Sequence, residues 1–360
     1  MSITTDQIVQ ALCAVTDPNT KKKLPVTAKD CDITLQGNTV SVTVPLGYPV
    51  HKGQPELTKR IETALQALGL QVGTLHLVTR VQSHAVQSGL RSLPTVRNII
   101  AVASGKGGVG KSTTAVNLAL ALSAQGARVG LLDADIYGPS VPIMLGLSGK
   151  PRMVSDNLME PLQSQGVYAN SIGFLIGDDA PAIWRGPMVT QALMQLLGQT
   201  AWPDLDYLIV DMPPGTGDIA LTLSQKVPLT GAVIVTTPQD LALADARRGL
   251  AMFQKVNVPV LGVVENMSTH VCSQCGHVEP IFGEHGGRTM AADFNVPWLG
   301  ALPLKMSIRE QTDSGRPTVS ADPSGPEAAA YHDIAARVAI AVATLPAEPA
   351  FKPTVVARKT

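Results

Sequence analysis

The sequence predicts an α/β fold in which a mainly parallel sheet is flanked by helices and preceded by a small α+β domain. One observation is a glycine-rich phosphate loop at 105–113, which follows a short apolar, β-branched run at 98–103. The other is the alternation of short apolar runs with helical stretches from residue 98 onward. Buried strands that alternate with helices are typical of a parallel sheet covered on both faces, and such sheets bind ligands at the carboxyl ends of their strands.

The phosphate loop has the spacing of a P-loop: a glycine, four residues, then Gly-Lys-Ser. In that motif backbone N–H groups surround phosphate oxygens, the lysine reaches the outer phosphates, and glycines permit the close approach. The run 113–123 has helical composition, so a helix would direct its positive N-terminal end at the phosphates. We therefore expect a P-loop NTPase fold with a nucleotide held by Gly105, Lys106, Gly107, Gly108, Val109, Gly110, Lys111, Ser112 and Thr113.

Acidic residues follow two other predicted strands. Asp211 ends one apolar run, where a carboxylate commonly holds Mg²⁺ through water while the Ser112 hydroxyl binds the same ion. Asp133 and Asp135 follow another run. We expect Asp133 to support the magnesium site and Asp135 to orient the attacking water, because phosphoryl transfer depends mainly on positioning and charge neutralisation.

A second lysine, Lys106, lies between the first glycines of the loop. Beside the phosphates its charge would stabilise the transition state as an arginine finger does, provided that a dimer delivers it to the partner's nucleotide. The catalytic residues that the sequence predicts are Lys106, Lys111 and Asp135.

Two of the four cysteines lie close together in the run Cys272-Ser-Gln-Cys275. Two thiolates at this spacing can bind one soft metal centre, but an iron-sulfur cluster or a structural zinc generally needs four ligands. A symmetric dimer would bring two such pairs together and complete the set, if the N-terminal cysteines do not join them. His270 and His277 could instead close a zinc site within one chain, and a redox dithiol has the same spacing.

Composition and pattern divide the chain into four segments. Two of the histidines outside the motifs, His84 and His332, are expected to face solvent, and Arg185 to serve either a dimer contact or a salt bridge. The predicted segments are a small α+β domain at 1–81, a polar linker at 82–97, the P-loop domain at 98–345 and a flexible tail at 346–360.

Charge and hydropathy exclude some partners. The 360 residues carry a formal net charge of +0, which argues against a strongly basic surface for nucleic acid or an anionic membrane. The N-terminus lacks the pattern of a secretory signal, and no apolar run reaches the roughly 18 residues of a membrane span. We expect a cytoplasmic protein with no nucleic-acid and no membrane partner.

Several motifs together resemble one known family, the Mrp/ApbC iron-sulfur cluster carriers, which are deviant Walker A P-loop ATPases of the MinD/ParA-like group. The resemblance covers about 95–345 and is highly specific in combination. The small domain resembles the MIP18-like domain of many bacterial members, although it lacks the cysteine that some bear after the second strand. The motifs are the Lys106-containing loop, Asp133-Ala-Asp-Ile-Tyr-Gly-Pro-Ser140, Asp211-Met-Pro-Pro-Gly-Thr-Gly-Asp218, Glu265-Asn-Met-Ser268 and the cysteine pair.

The resemblance implies a homodimer that sandwiches ATP, with Lys106 reaching the partner's nucleotide and Asn266 reading adenine. It also implies a [4Fe-4S] cluster that bridges two subunits through Cys272 and Cys275. Apo iron-sulfur proteins would be the acceptors and a cluster assembly scaffold the donor.

Three functions compete at this point. The favoured one is an ATP-hydrolysing, homodimeric carrier that transfers iron-sulfur clusters to apo-proteins. The alternative is a Min/Par-type positioning ATPase with a structural zinc at the cysteine pair, although the chain shows neither a basic amphipathic terminal helix nor a basic surface. An electron-transfer ATPase is disfavoured, because the cysteines of such proteins lie well apart in sequence.

Overall fold

The computed structural model describes residues 3–50, 54–175, 186–272 and 274–347. The N-terminal part is a small α+β unit in which the Gly37-Asn38 turn joins the first two strands, as the sequence predicts. Its elements are α1 (Thr5–Ala14), β1 (Asp32–Gln36), β2 (Thr39–Leu46), α2 (Pro55–Gln66) and β3 (Gln71–Thr79).

The larger part alternates strands and helices. Its first half contains β4 (Val96–Ser104), α3 (Lys111–Ala124), β5 (Val129–Asp133), α4 (Val141–Met144), β6 (Met153–Ser155), β7 (Leu158–Met159), β8 (Leu162–Ser164), β9 (Val167–Ser171), a 3-10 turn (Ile172–Phe174) and α5 (Gly186–Gly198). Its second half contains β10 (Leu205–Asp211), α6 (Asp218–Lys226), β11 (Gly231–Thr236), α7 (Asp240–Lys255), β12 (Val260–Glu265), β13 (His270–Val271), β14 (Val278–Glu279), α8 (Gly286–Asp293), β15 (Trp298–Ala301), α9 (Met306–Asp313), α10 (Thr318–Ala321) and α11 (Pro326–Ala343).

Within the described residues, eight strands form the main sheet in the order β15-β12-β11-β4-β10-β5-β9-β8. Every neighbouring pair is parallel except β8 and β9, which are antiparallel. In the small sheet, β1 pairs antiparallel with β2, and α2 crosses over so that β3 lies parallel to β2. The mainly parallel sheet and the preceding α+β unit agree with the sequence prediction.

Helices cover both faces of the main sheet. Along β4, Ile100 and Val102 pack in a core with α3 and α11, whereas Ile99 and Ala101 pack in a second core with α5, α6 and α7. This alternation reflects the two-residue period of a strand, whose side chains point to opposite faces in turn. The carboxyl ends of β4, β5, β10 and β12 therefore meet at one edge, where the polar motifs lie.

The small unit packs directly against the end of α11. Gly47 approaches Ala343, the Lys22 ammonium donates to the Thr344 carbonyl at 2.7 Å, and the core of the small unit is continuous with that of α3 and α11. The two parts thus share one apolar core.

The segment 82–97, which the sequence predicts as a linker, packs against the larger part. Its last residues belong to β4, and the Gln87 side chain donates to the Ser224 carbonyl at 2.9 Å. The Ala85 N–H donates to the Pro346 carbonyl, so the first residues of the predicted tail pair with this segment. The remainder of the tail, 348–360, and the predicted contact residue Arg185 lie outside the described residues.

The expectation that His84 faces solvent is wrong. The ring is buried, and its Nδ1 lies 2.9 Å from the Asn98 Oδ1. Burial lowers the pKa of His84, because the charged imidazolium would lose its hydration. The error arises because a polar segment is expected to face solvent, whereas this segment packs against the sheet and buries its histidine beside Asn98. His332 is half-buried, and its backbone carbonyl accepts a hydrogen bond from Gln125.

Among the described residues, no helix is both long enough and apolar enough to cross a membrane.

Two buried tyrosines give a matched stability test. The Tyr207 hydroxyl has no partner among the described residues, whereas the Tyr48 hydroxyl donates to Asp17 at 2.8 Å and accepts from Asn19. We expect Tyr48→Phe to lower the free energy of unfolding by about 1–3 kcal/mol, because buried Asp17 loses a donor. Tyr207→Phe should leave it unchanged or raise it by up to about 1 kcal/mol. Urea unfolding measures both, and equal losses would contradict the assignment.

Candidate functional site

The phosphate loop connects the carboxyl end of β4 to the first turn of α3. Gly108 and Gly110 have φ values of +80° and +82°, a left-handed conformation that glycine adopts without strain. The loop borders a cavity of about 230 Å³. Residues predicted to bind nucleotide, to bind magnesium or to act in catalysis line this cavity, namely Lys106, Lys111, Ser112, Thr113 and Asp135.

Gly105 is required by packing rather than by its backbone angle. A Cβ at this position would lie 2.1 Å from the Asp245 carbonyl carbon and 2.4 Å from the Ala246 nitrogen, both in the backbone of α7. By contrast, a Cβ at Gly107 would meet nothing closer than Pro214 at 4.0 Å. The first glycine of the motif therefore lets α7 lie against the loop, a reason that sequence spacing does not reveal.

Lys111 forms a buried ion pair with Asp211. Its Nζ lies 2.6 Å from the Asp211 Oδ1 and 3.1 Å from the Ser112 Oγ. The lysine side chain is 6% exposed and the aspartate 0%. The ammonium thus contacts two of the three residues that the sequence assigns to the magnesium site, and it neutralises the buried Asp211 carboxylate.

The donor set fits Mg²⁺. The second carboxylate oxygen of Asp211 is buried without a hydrogen-bond partner among the described residues, and the Ser112 hydroxyl lies beside the same lysine. Carboxylate and hydroxyl oxygens are the ligands that Mg²⁺ prefers, usually with several waters retained. Ser112 and Asp211 would hold the ion, which would neutralise charge on the phosphates when bound.

Asp133 has a different environment from the one its predicted role suggests. Its carboxylate accepts hydrogen bonds from the backbone N–H groups of Asp135, Ser140 and Val141 and from the Ser171 hydroxyl. Burial, with a smaller contribution from the charge of Asp211, raises the pKa of Asp133 to about 7. These bonds fix the loop after β5, so Asp133 would support a magnesium site by holding that loop in place.

Ser171 is a residue that the sequence analysis missed. It ends β9, which pairs with β5 so that Ser171 lies opposite Asp133. The sequence signal for its position is the short run Val167-Tyr-Ala169 before it, since β-branched and aromatic residues are typical of a strand.

Asp135 and Lys106 both line the phosphate cavity. Burial raises the pKa of Asp135, while the Lys111 charge opposes the rise. Lys106 is half-buried, and its backbone carbonyl accepts a hydrogen bond from the Ser104 hydroxyl at 2.8 Å. Their placement is compatible with the predicted water-orienting and charge-stabilising roles, which stay predictions.

Asn266 contacts the phosphate loop directly. It follows β12, is 8% exposed, and its Nδ2 donates to the Val109 carbonyl at 2.9 Å. The side chain that the sequence assigns to adenine therefore has a partner in the loop itself. Adenine reading stays a prediction.

The cysteine pair occupies the turn between β13 and β14. The Cys272 N–H donates to the His277 carbonyl and the Gly276 N–H to the Cys272 carbonyl, both at 2.9 Å. Cys275 is exposed and Cys272 partly exposed. Hydrogen bonds from the backbone N–H groups of Cys275 and Gln274, and then from the Cys275 thiol, lower the pKa of Cys272. This turn stabilises a thiolate at the surface, as a soft metal centre requires.

No group of three or more histidine, cysteine or acidic side chains is arranged to hold a metal ion within the described parts of the chain. The zinc site with His270 and His277 that the sequence allowed therefore gains no support. The other cysteines, Cys13 and Cys31, lie in the small unit, where Cys13 donates to the Val26 carbonyl and burial raises the pKa of Cys31 to about 11.

Comparison with known proteins identifies the family. A family model described as NUBPL iron-transfer P-loop NTPase matches residues 95–339. The chain belongs to this family. A second model, described as iron-sulfur cluster assembly protein, matches residues 5–75 of the small unit. These matches confirm the resemblance that the motifs indicated.

Two relatives and one solved structure extend the comparison. The chain is 46% identical over 362 residues to the iron-sulfur cluster carrier protein of Haemophilus influenzae, covering 96% of this chain and 95% of the relative. It is 59% identical over 257 residues to the protein of the same name from Pseudomonas fragi, covering 71% and 90%. A nucleotide-binding protein from Archaeoglobus fulgidus, solved in complex with ADP, matches with a TM-score of 0.57 and 38% identity over 65% of this chain and 91% of that one. The P-loop NTPase fold is confirmed.

The buried ion pair predicts a double-mutant result in the nucleotide-free protein. Lys111→Met leaves the buried Asp211 carboxylate without its cation, so we expect the free energy of unfolding to fall by about 3–5 kcal/mol. Adding Asp211→Asn should recover most of that loss, because the uncompensated charge is removed. Urea unfolding of the two single variants and the double variant measures the coupling. A Lys111→Met protein as stable as the wild type would contradict it.

The thiol environment predicts a pH dependence. In a Cys275→Ala variant the backbone donors to Cys272 remain, so its alkylation rate should reach half-maximum at a lower pH than in the same chain unfolded in urea. Peptide mass spectrometry after iodoacetamide pulses follows Cys272 alone. Identical midpoints in the folded and unfolded protein would show that the turn does not stabilise the thiolate.

Proposed function

We propose that this chain is an ATP-hydrolysing carrier that binds an iron-sulfur cluster, of the [4Fe-4S] type, between two copies of itself and transfers it to apo-proteins. The observation that carries the proposal is the exposed turn with two thiols, one with a lowered pKa, and no third ligand among the described residues. A cluster that needs four thiolates can obtain them from two such turns related by a twofold axis.

Family membership and the names of the relatives support iron-sulfur carriage, and the ADP complex of the Archaeoglobus fulgidus protein supports nucleotide binding. Apo iron-sulfur proteins are then the acceptors and an assembly scaffold the donor. The exposure of Cys275 suits transfer, because an acceptor thiol can approach it from solvent.

The chain's own residues would divide the nucleotide chemistry as follows. Loop N–H groups and Lys111 bind the phosphates, Ser112 and Asp211 hold Mg²⁺, and Asp135 orients a water. Lys106 contributes its charge to the partner's nucleotide in the dimer. Lys111 is paired with Asp211 in the structure, so a Lys111 that binds the phosphates would leave this carboxylate, which together with Ser112 would hold Mg²⁺.

The test is anaerobic reconstitution with iron and sulfide, followed by metal and sulfide analysis and measurement of mass in solution. We expect about four irons per dimer in the wild type. Cys272→Ala and Cys275→Ala should each abolish iron binding. Cys13→Ala is the matched control, because this cysteine lies in the small unit and should leave iron content unchanged.

Transfer is measured by the gain of activity in an apo iron-sulfur enzyme mixed with the loaded protein. A colourless protein that carries zinc, or iron retained in both cysteine variants, would refute the carrier proposal. Zinc would favour the positioning-ATPase alternative.

A further inference from the structure

We propose that Asn266 couples the phosphate loop to the cysteine turn, so that nucleotide binding changes the reactivity of Cys272 and Cys275. The inference rests on the proposed function only in that the loop must bind a nucleotide. It assigns to Asn266 a positioning role that is distinct from adenine reading.

The contact of Asn266 with the loop is close. Its Nδ2 donates to the Val109 carbonyl, and a Cβ at Gly110 would lie 2.1 Å from that same nitrogen. The Met267 Cε lies 3.8 Å from the same position. Asn266 and Met267 therefore occupy the space that the absence of a side chain at Gly110 creates.

The bonded carbonyl belongs to the same peptide unit as the Gly110 N–H. Because that unit is planar and trans, the direction of the Val109 carbonyl fixes the opposite direction of the Gly110 N–H. In a P-loop the backbone N–H groups face the phosphates. Phosphate and Asn266 thus act on two sides of one rigid plane, and a rotation that suits one changes the contact of the other.

From Asn266 the chain runs directly to the cysteine turn. The Ser268 N–H donates to the Leu302 carbonyl, the Leu304 N–H donates to the Thr269 carbonyl, and His270 forms a bridge with Leu304. Cys272 follows two residues later. These bonds hold the strap, residues 266–272, in a defined path. A displacement at its first residue is therefore passed along the strap toward Cys272.

The segment from the end of β12 to the first residue of α8, residues 266–286, is called the excursion. Its far end returns to the end of β12. The Glu265 carboxylate, buried at the end of β12, accepts a hydrogen bond from the Gly287 N–H in the first turn of α8. The excursion 266–286 that carries the cysteines is therefore anchored at one end to the loop by Asn266 and at the other end to Glu265, the residue before Asn266. Since β12 lies inside the sheet, a change at the Val109 peptide reaches the turn through Asn266 and Met267.

The experiment uses the cluster-free full chain and follows alkylation of Cys272 and Cys275 with and without saturating Mg-ADP. One tryptic peptide contains both residues, while Cys13 and Cys31 fall in others, so mass spectrometry separates them. We expect Mg-ADP to change the wild-type rate by about fivefold or more, the lower range of allosteric coupling. Asn266→Asp keeps the shape but removes the donor, and its rate should change by less than about 1.5-fold at saturation.

Ser268→Ala is the matched control. It removes a hydroxyl bond to the Leu302 carbonyl within the strap but does not touch the loop, so the response should persist. If Asn266→Asp does not fold, Asn266→Ser serves instead, because its side chain is too short to reach the Val109 carbonyl.

The outcomes are separable. Binding of Mg-ADP by the wild type without a change in alkylation overturns the coupling alone, and so does a response retained in Asn266→Asp. A variant that keeps the response but loses discrimination between ADP and GDP shows adenine reading instead. Failure of the wild type to bind Mg-ADP overturns the proposed nucleotide function itself, and the coupling falls with it.

Discussion

The buried ion pair of Lys111 and Asp211 is the interaction on which the site depends. Two charged groups lie at the carboxyl edge of the sheet with almost no solvent contact, so the loss of either would leave the other as an uncompensated buried charge. The pair also sets what can replace it. In the proposed function, a phosphate that bound Lys111 would leave the buried Asp211 carboxylate without its cation, and Asp211 and Ser112 would be the residues to hold a divalent cation there. On this proposal we expect nucleotide binding to depend on a divalent cation, because the nucleotide alone would leave the buried Asp211 charge without a partner.

Much of this edge could be predicted from the sequence, because local patterns determine it. The loop spacing, the apolar run before it and the acids after two later runs each report a feature of a few neighbouring residues, and parallel strands bring their ends together without further information. What could not be predicted involves partners distant in the chain. Gly105 meets the backbone of α7, and Asp133 meets Ser171. Neither contact has a sequence signal, since each depends on how elements far apart pack.

The segment at 82–97 also shows a limit of prediction from sequence composition. Its polar residues, glycine and proline are typical of a linker, yet His84 is buried and Gln87 bonds to the end of α6. Hydrogen-bonding side chains can pack on a sheet as well as face solvent, and composition alone does not separate the two. The helix α11 packs against two parts of the molecule, and the sequence does not indicate this either. Its apolar residues serve both the sheet and the small unit, so the two parts share a core that no periodicity would reveal.

The cysteine turn lies apart from the phosphate loop, and the chain between them connects the two. The cysteine turn offers two thiols, so in the proposed dimer the stability of a bridging cluster would depend on how the two turns face each other. Backbone hydrogen bonds tie Cys272 to His277 and Gly276, so we expect the position of the whole turn to vary more readily than its backbone shape. The excursion 266–286 is tied to the phosphate loop by Asn266 at its first residue, and the residue after its far end, Gly287, bonds to Glu265. Small changes in one peptide plane at the loop can then alter the relation between two turns, which is where four-ligand binding is decided.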